Sequence, residues 1–360
     1  DPTPADGINT SIILLTLILF LLFCKLMIKN CFLGAGPMSL EIINSLDVFS
    51  KKFNKKIMLI CSRNQIETSY LGGGYVNNFS TKEFSDFVIK KKNPRLIISR
   101  DHSGPFKNDK FNEKMNTEID YCKKSLLDDI QSGFKIIHID TSSCKKQKYE
   151  IADELIKYCE DVALKNNKKI YFEFGCEDHG ILKNLDDFRK DIKFFSKFKN
   201  RQFIVCQTGS HVKSLFQVGQ FDFSGVKKMK KIAKNHGILL KEHNCDYLNK
   251  EQINTRKKFG IDAINVAPEL GFLQSYFTFN KAKEFDLDKE INNFMKLVLA
   301  GKKWKKWNYN NENNFIKFLS SAHYFYKTDE FKNLKEKINK KISYQKQFNI
   351  TVEENLSKYF

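Results

Sequence analysis

Paired cysteines are missing from this sequence. Its nine cysteines are odd in number and widely spaced, no CxxC pair occurs, and Cys61, Cys159 and Cys206 stand inside apolar runs. This distribution is typical of a protein in a reducing compartment, because disulfide-rich domains usually carry an even number of cysteines at short spacings. Zinc-finger and P-loop spacings are absent as well, so we predict neither of these two kinds of site.

Arginine-rich stripes are also missing, although the chain is strongly basic. Its 61 lysines and arginines outnumber its 42 aspartates and glutamates, which gives a formal charge of +19. The basic residues are mixed with acids along the whole chain, and the densest groups lie on predicted surfaces, at positions 90–92, 227–231 and 302–306. We therefore predict a solvated surface that attracts anionic substrates such as sugar phosphates, and no nucleic-acid partner.

One extended apolar run is present, near the start of the chain. Residues Ser11 to Cys24 are almost entirely apolar and are followed by Lys25 and Lys29. The run is short for a membrane span, which needs about 20 apolar residues, and no signal-peptide cleavage site follows it. Two interpretations stay open for residues 1–27: a membrane anchor with the rest of the chain in the cytoplasm, or an extension upstream of a natural start at Met27. Both predict a cytoplasmic main domain.

From residue 28 onward, short apolar runs alternate with segments of helical periodicity. Eight runs are predicted strands, at positions 29–33, 57–61, 96–99, 135–139, 170–174, 203–206, 238–241 and 263–266. Strands that alternate with helices form parallel βαβ units. Eight such units favour a closed α/β TIM barrel, with an open doubly wound sheet as the alternative. Because only helical patterns follow Pro268, we predict the barrel at residues 28–300 and a C-terminal helical extension at residues 301–360.

Histidines and acids recur where these predicted strands end. They are Asp101 and His102, His138 and Asp140, Glu177, His211 and His243. The C-terminal ends of the strands in a parallel barrel open onto one face, so we expect these side chains to converge there. Three histidines with one open position form the usual catalytic zinc site, and His102, His211 and His243 follow three different strands. The pattern predicts a metal-assisted enzyme that uses zinc or another divalent metal.

Two further interpretations of residues near these strand ends stay open. His138 and Asp140 share one face of the fourth strand, where they would either brace the barrel as a hydrogen-bonded pair or take part in catalysis. A group of three cysteines offers a site for a soft metal instead, at Cys176, Cys206 and Cys245. Unpaired cysteines are, however, common in buried cores.

Five segments of the sequence, in order, resemble a known family. They are SRNQIETSYLGGGY, RDHSGP, GFKIIHIDTS, EHNCDY and INVAPELGF. The family is the subunit of class II tagatose-bisphosphate aldolase that is usually described as its non-catalytic, or accessory, partner. The resemblance runs from about Gly34 into the C-terminal helices. It implies a TIM barrel of the class II aldolase superfamily, in agreement with the strand count.

The resemblance also implies roles for particular residues. Class II aldolases hold a catalytic zinc with three histidines, and the aspartate before the first of them transfers a proton at the C4 hydroxyl of the substrate. Asp101 and His102 match that aspartate and histidine. His243 matches the ligand on the seventh strand, and His211 lies where the second ligand is expected.

A catalytic glutamate and several substrate contacts are implied in the same way. FEFGCEDHG resembles the aldolase segment that carries the glutamate, for which we favour Glu177, at the strand tip, over Glu173. The candidate substrate-binding residues are Asn64, Gln65, Asp140, Asp246 and Asn265. The glycine-rich phosphate loop of the family is not matched, because HVKSLFQVG carries a single glycine. Lys213, within that segment, is a candidate source of positive charge.

Together these features favour a class II aldolase-like enzyme that acts on a phosphorylated ketose of the tagatose or fructose type, by cleavage or by C4 epimerisation. The alternative that the resemblance implies is a non-catalytic subunit that stabilises and activates a partner aldolase. Both hypotheses predict an assembly, either of identical chains or with a catalytic subunit.

Overall fold

The computed structural model describes residues 31–175 and 184–360. The two interpretations of residues 1–27 concern a segment outside these ranges. Within them, no helix is both long enough and apolar enough to cross a membrane.

Eight parallel strands close into a barrel, which confirms the predicted fold. In chain order the strands are β1 (Leu33–Ala35), β2 (Ile57–Ser62), β3 (Leu96–Ser103), β4 (Ile136–Ile139), β5 (Tyr171–Phe174), β6 (Arg201–Val205), β7 (Val212–Lys213), β8 (Phe216–Gln217), β9 (Leu239–Glu242) and β10 (Ala263–Val266). The barrel runs in the order β1-β2-β3-β4-β5-β6-β9-β10, and β10 pairs with β1 to close it. The short strands β7 and β8 form an antiparallel hairpin outside the barrel.

Helices follow the barrel strands and then continue to the end of the chain. They are α1 (Leu40–Phe53), α2 (Thr81–Ile89), α3 (Met115–Gln131), α4 (Lys148–Lys165), α5 (Leu185–Phe195), α6 (Phe223–Asn235), α7 (Lys250–Phe259), α8 (Pro268–Glu284), α9 (Asp288–Ala300), α10 (Asn314–Ser321), α11 (Asp329–Asn339) and α12 (Tyr344–Leu356). Two of these helices begin with a capping box. The box at α2 consists of Ser80 and Glu83, and the box at α7 consists of Asn249 and Gln252. These side chains bond amide groups that have no partner in the first helical turn.

The barrel interior contains two layers of side chains, because alternate residues of each strand point inward. The lower layer is almost entirely apolar and consists of Cys31, Met58, Ile60, Ile97, Ile136, Tyr171, Phe203 and Ala263. Closer to the C-terminal ends of the strands, the inward side chains become polar or charged. We define this upper layer as Asp101, His138, Glu173, Lys241, His243 and Asn265, all of which are buried. The polar layer lies at the end of the barrel where TIM-barrel active sites form.

The C-terminal helices pack back onto the start of the barrel domain. Ser45 of α1 donates a hydrogen bond to the Asn349 side chain of α12 at 2.7 Å. Gln345 of α12 donates to the Glu41 carbonyl at 3.0 Å. Buried side chains such as Phe348 add apolar contact to these bonds. The extension is therefore joined to the barrel domain by a packed interface.

Two details differ from the sequence-based predictions. The first strand begins at Leu33, several residues later than the predicted start at position 29. The loop after β6, where His211 was expected to face the site, instead leads into the β7–β8 hairpin. Segments of two residues are too short for alternating hydrophobicity to reveal them.

Candidate metal centre and active site

A β-bulge in β3 directs two adjacent side chains to the same place. Relative to β4, β3 carries one extra residue between Arg100 and Ser103. His102 lies within this interval and has a left-handed φ of 48°. Adjacent residues of a regular strand point to opposite faces, whereas a bulge redirects one of them. As a result, Asp101 and His102 both line the cavity at the barrel mouth.

Three imidazoles meet beside Asp101. The ring centroids of His102, His138 and His243 are 5.2 to 5.3 Å from one another. One ligand atom from each ring and one carboxylate oxygen of Asp101 all lie within 4.8 Å of one another. Among the residues that the structure describes, no other group of histidine, cysteine, aspartate or glutamate side chains converges in this way.

The spacing of the rings fits a single bound ion. With metal–nitrogen distances of about 2.1 Å, tetrahedrally arranged imidazoles would have ring centroids roughly 5.2 Å apart. Three nitrogen donors suit a divalent transition metal, zinc among them, and leave a fourth position open beside the Asp101 carboxylate. The residues present therefore form a possible site for a divalent metal.

Hydrogen bonds on the far side of two rings orient the imidazoles. Nε2 of His138 lies 3.0 Å from the Gly175 carbonyl, which only accepts, so Nε2 carries the proton and donates it. Nδ1 of His138 carries the ring's lone pair and accepts the His102 amide at 3.2 Å, and a bound ion would take the place of this amide. In His102, Nδ1 donates to Asp140 at 2.7 Å, which leaves a lone pair on Nε2. Such carbonyl and carboxylate contacts are typical of metal-binding histidines.

The contact between Asp101 and His138 favours a cation. Oδ1 of Asp101 lies 3.2 Å from Nδ1 of His138, and both atoms are acceptors in the tautomer just described. Burial raises the pKa of Asp101, but the imidazoles of His102 and His243 outweigh burial and hold this pKa well below its usual range. These two atoms need a positive charge beside them, supplied either by a proton on Nδ1 of His138 or by a cation among the rings. A divalent ion among the three rings would supply that charge.

Asp140 serves mainly as an acceptor for its neighbours. Besides His102, the Lys107 ammonium lies 2.8 Å from its carboxylate, and the Ser142 amide donates to it at 3.0 Å. Burial raises the pKa of Asp140, but these contacts with His102 and Lys107 hold it well below its usual range. A Cβ on Gly104 would lie 1.8 Å from the Asp140 carbonyl, so only glycine lets the loop after β3 pass this closely.

A buried ion pair lies on the other side of His243. Oε1 of Glu173 accepts a hydrogen bond from Nε2 of His243 at 2.7 Å, and Oε2 lies 2.5 Å from the Lys241 ammonium. Both partners of the ion pair are fully buried. Burial raises the pKa of Glu173, but Lys241 outweighs burial and brings the pKa to about 2. Glu173 is therefore a carboxylate fixed between the Lys241 ammonium and the His243 imidazole.

A cavity of about 290 Å³ opens next to the imidazoles. All five predicted substrate-binding residues line it: Asn64, Gln65, Asp140, Asp246 and Asn265. The buried Oδ1 of Asn265 has no hydrogen-bond partner among the residues that the structure describes. A Cβ on Gly34 would lie 2.4 Å from this oxygen, which shows that the glycine makes room for the Asn265 side chain. That these residues bind substrate stays a prediction.

Asp246 also caps the helix that follows the last strand. Its Oδ1 accepts hydrogen bonds from the Ala267 and Glu269 amides, both at 2.8 Å, at the start of α8. Burial and the neighbouring Glu269 carboxylate together raise the pKa of Asp246 to about 8. At neutral pH the side chain is therefore mostly protonated, and it presents a neutral acid to the cavity.

The C-terminal extension contributes part of the cavity wall, which the sequence analysis missed. Lys306, Trp307 and Tyr324 line the cavity. The Trp307 indole donates to the Tyr324 hydroxyl at 3.1 Å, and the Trp307 carbonyl accepts from the Ser214 amide at 2.8 Å. The one sequence signal was the aromatic HYFY segment, which lies far from the barrel motifs along the chain.

One predicted site residue is not part of the cluster, and another lies outside the described residues. His211 is absent from the converging group and from the cavity lining. Its amide donates to the Gln217 side chain at 2.6 Å, which keeps it at the base of the hairpin. Glu177, the predicted catalytic glutamate, lies outside the described residues. His138, whose role the sequence analysis had left open, is part of the converging group, and Glu173 accepts a hydrogen bond from His243.

Comparisons with known proteins find similarity in structure only. No known family and no curated protein matches the sequence. A probable tagatose 6 phosphate kinase from Sinorhizobium meliloti matches with a TM-score of 0.73 and 13% identity, over 91% of this chain and 99% of that chain. Fructose-bisphosphate aldolase from Campylobacter jejuni matches with a TM-score of 0.54 and 12% identity, over 95% and 93%. The YdjI aldolase from Escherichia coli K12 matches with a TM-score of 0.50 and 13% identity, over 87% and 94%.

These similarities show that the chain has the TIM-barrel fold found in these aldolases. Identities this low establish the fold and leave the activity to the residues of the site.

Proposed function

We propose that this protein is a metal-dependent, aldolase-like enzyme that breaks or forms a carbon–carbon bond in a phosphorylated ketose. The observation that carries the proposal is the convergence of three imidazoles and the Asp101 carboxylate within 4.8 Å at the mouth of the barrel. Imidazole and carboxylate donors beside an open cavity are the usual elements of a catalytic metal site.

The three histidines and Asp101 have separate tasks in this proposal. His102, His138 and His243 hold the ion through ring nitrogens that their neighbours orient. A bound divalent ion would supply the positive charge that polarises the substrate carbonyl and stabilises the negative charge that develops on oxygen in the transition state. Asp101 lines the cavity and is ionised, so it accepts the proton of the substrate hydroxyl as the adjacent carbon–carbon bond breaks.

The proton returns when the reaction runs in the direction of bond formation. The electron pair of the broken bond passes to the carbon next to the substrate carbonyl, and Asp101 then holds the hydroxyl proton. In cleavage, that carbon takes up a proton from water before the ketone product leaves. In the reverse direction Asp101 gives this proton back to the oxygen of the newly formed alcohol. Rotation of one fragment before recombination would invert the alcohol carbon, so the same residues also serve C4 epimerisation.

The proposed substrate class rests on the cavity and on the structural matches. Asn64, Gln65 and Asn265 present amides suited to sugar hydroxyls, and Lys107 and Lys306 bring positive charge to the wall. The matched structures are described as a probable tagatose 6 phosphate kinase and as aldolases, one of them a fructose-bisphosphate aldolase. Both observations support a ketose phosphate as the substrate to test first.

Metal content is the first test of the proposal. Elemental mass spectrometry of the purified protein should find about one divalent transition metal per chain. His102→Ala and His243→Ala should each lose most of it, whereas His236→Ala, at an exposed position after α6, should keep it. If both site variants retain metal as well as the control does, the cluster does not hold the ion.

Turnover is the second test. The metal-loaded protein should cleave or epimerise at least one ketose phosphate, with the products separated by chromatography. A protein that binds metal and turns over no ketose phosphate by itself would contradict the enzymatic proposal. It would favour a non-catalytic subunit instead, and co-purification with a second barrel protein would then identify the catalytic partner.

A further inference from the structure

The upper layer of the barrel contains a lysine to which the proposed chemistry assigns no role. Lys241 is fully buried, and its ammonium lies 2.5 Å from Oε2 of Glu173. A lysine is almost never buried completely unless a carboxylate neutralises it, and removing such an ion pair from water is costly. Core stability alone would be served as well by an apolar side chain, so the pair calls for another explanation.

Glu173 is close enough to the imidazoles to compete for a bound ion. Its Oε1 lies 2.7 Å from Nε2 of His243 and 4.0 Å from Nδ1 of His138. Carboxylates bind divalent metals readily. Even so, Glu173 is not among the residues whose ligand atoms converge. Its second oxygen points to Lys241, on the side away from the converging group.

We propose that Lys241 is a positioning residue that holds the Glu173 carboxylate back from the metal ion. Glu173 is thereby kept as an acceptor that orients His243, and a coordination position stays open for substrate. This inference rests on the proposed function, because it assumes that the three imidazoles hold a divalent ion.

The location of Lys241 suits this role. It precedes His243 by two positions along the strand, so both side chains point into the barrel. Its ammonium lies 5.6 Å from the centre of the Phe203 ring in the lower layer, which supports it from below. The charge is therefore fixed between the apolar layer and the imidazoles, where it acts on Glu173 and repels a divalent ion.

Replacement of Lys241 should strengthen metal binding and weaken catalysis at the same time. In Lys241→Met the carboxylate is free to become a metal ligand, and a nearby positive charge is removed. Both changes should lower the dissociation constant for Zn²⁺ by about tenfold or more, measured by competition with a chelator. Turnover should fall at least about tenfold, because an anionic ligand takes the open position and weakens the polarising effect of the ion.

A double variant separates positioning from a general structural effect. In Lys241→Met with Glu173→Gln, the Glu173 carboxylate is no longer there to bind the ion. The logarithmic gain in zinc affinity of this double variant over Glu173→Gln should therefore be less than half of the gain of Lys241→Met over the native protein. The Co²⁺-loaded proteins give a second readout, because their visible absorption depends on coordination number. This spectrum should change in Lys241→Met and resemble the native spectrum in the double variant.

The outcomes distinguish this inference from the proposed function. If the native protein binds no metal, both ideas are wrong. If the native protein binds Zn²⁺ but Lys241→Met binds it equally or more weakly, the metal site stands and the positioning role is wrong. Should Lys241→Met fail to fold, Lys241→Gln keeps a hydrogen-bond donor without the charge. It must shift zinc affinity in the same direction, and unchanged or weaker binding overturns the inference.

Discussion

The two layers of the barrel interior are built from the same strands and yet are stabilised in different ways. On β4, Ile136 belongs to the lower layer and His138 to the upper layer, and on β5 the corresponding pair is Tyr171 and Glu173. The lower side chains gain free energy by leaving water, in proportion to the apolar area they bury. The upper side chains lose hydration, which only specific hydrogen bonds and opposite charges offset.

Because of this difference, the two layers tolerate different substitutions. An apolar layer accepts other side chains of similar volume, because packing contacts are not directional. In the upper layer each partner depends on another, as Glu173 depends on both Lys241 and His243. Loss of one partner leaves a buried charge without compensation. Substitutions in the lower layer should therefore affect stability through the volume they remove, whereas substitutions in the upper layer should also affect the chemistry.

The largest expected effect is on stability and lies in the lower layer. Phe203 is fully buried, so Phe203→Ala should lower the free energy of unfolding by about 3–5 kcal/mol, measured by urea denaturation. The matched control is Phe216→Ala in the hairpin, where the ring is 61% exposed and the cost should stay below about 1 kcal/mol. Similar costs for the two variants would contradict the assignment of Phe203 to the packed interior.

The next largest effect is on turnover and lies in the upper layer. Asp101→Asn removes the proposed base, so kcat should fall by about 10²–10⁴-fold, while the free energy of unfolding changes far less than in Phe203→Ala. Asp109 lines the same cavity but lies outside the converging group. Asp109→Asn should therefore keep kcat within about fivefold of the native value. Full activity in Asp101→Asn would remove this residue from the mechanism.

An effect of intermediate size is expected on zinc affinity when the third imidazole is removed. His138→Ala should weaken zinc binding by about 10–100-fold or more, because it deletes one of the three converging rings. His211→Ala should bind zinc as the native protein does, because His211 is absent from this group. Chelator competition measures both constants. The reverse result would restore His211 as the ligand and assign His138 to a bracing role.

The smallest expected effect is a pH dependence at the edge of the upper layer. The pKa of Asp246 is about 8 in the folded protein, compared with about 4 in an unfolded chain. Between these values the folded state keeps a proton that the unfolded state has released, so stability falls as pH rises. Relative to Asp246→Asn, which keeps an acceptor for the two amides, the native protein should lose roughly 1 kcal/mol per pH unit between pH 5 and 7.

Urea denaturation at several pH values measures this difference. The contribution of Asp246 should be fully present below about pH 4 and should be lost above about pH 8. Parallel stability curves for the native protein and Asp246→Asn across this range would show that the folded protein does not retain the proton.

Much of the fold was predictable from the sequence, because it depends on local patterns. The alternation of apolar runs with helical segments predicted the eight barrel strands, and the strands from Ile57 onward begin within two residues of their predicted starts. The residues at the strand ends could be named as well, since a TIM barrel opens at that end. Asp101, His102 and His243 were identified in this way, and the structure brings them together.

Other parts of the site could not be predicted from local patterns. The bulge that brings His102 beside Asp101 depends on the register between β3 and β4. Whether His138 or His211 belongs to the imidazole cluster depends on the hairpin that follows β6. The pairing of Glu173 with Lys241 joins two strands that are separated by β6 in the barrel. Each of these features is a contact between residues that are distant in the chain.

The sequence by itself determined the order of the barrel strands and the helices between them, because backbone geometry gives strands a period of two residues and helices a period of 3.6. The tertiary structure decided which inward side chains meet. It selected His138 for the imidazole cluster, placed Lys241 beneath Glu173, and brought Trp307 and Tyr324 to the cavity. Such distances depend on barrel closure and on the docking of the C-terminal extension, and no periodicity along the chain encodes them.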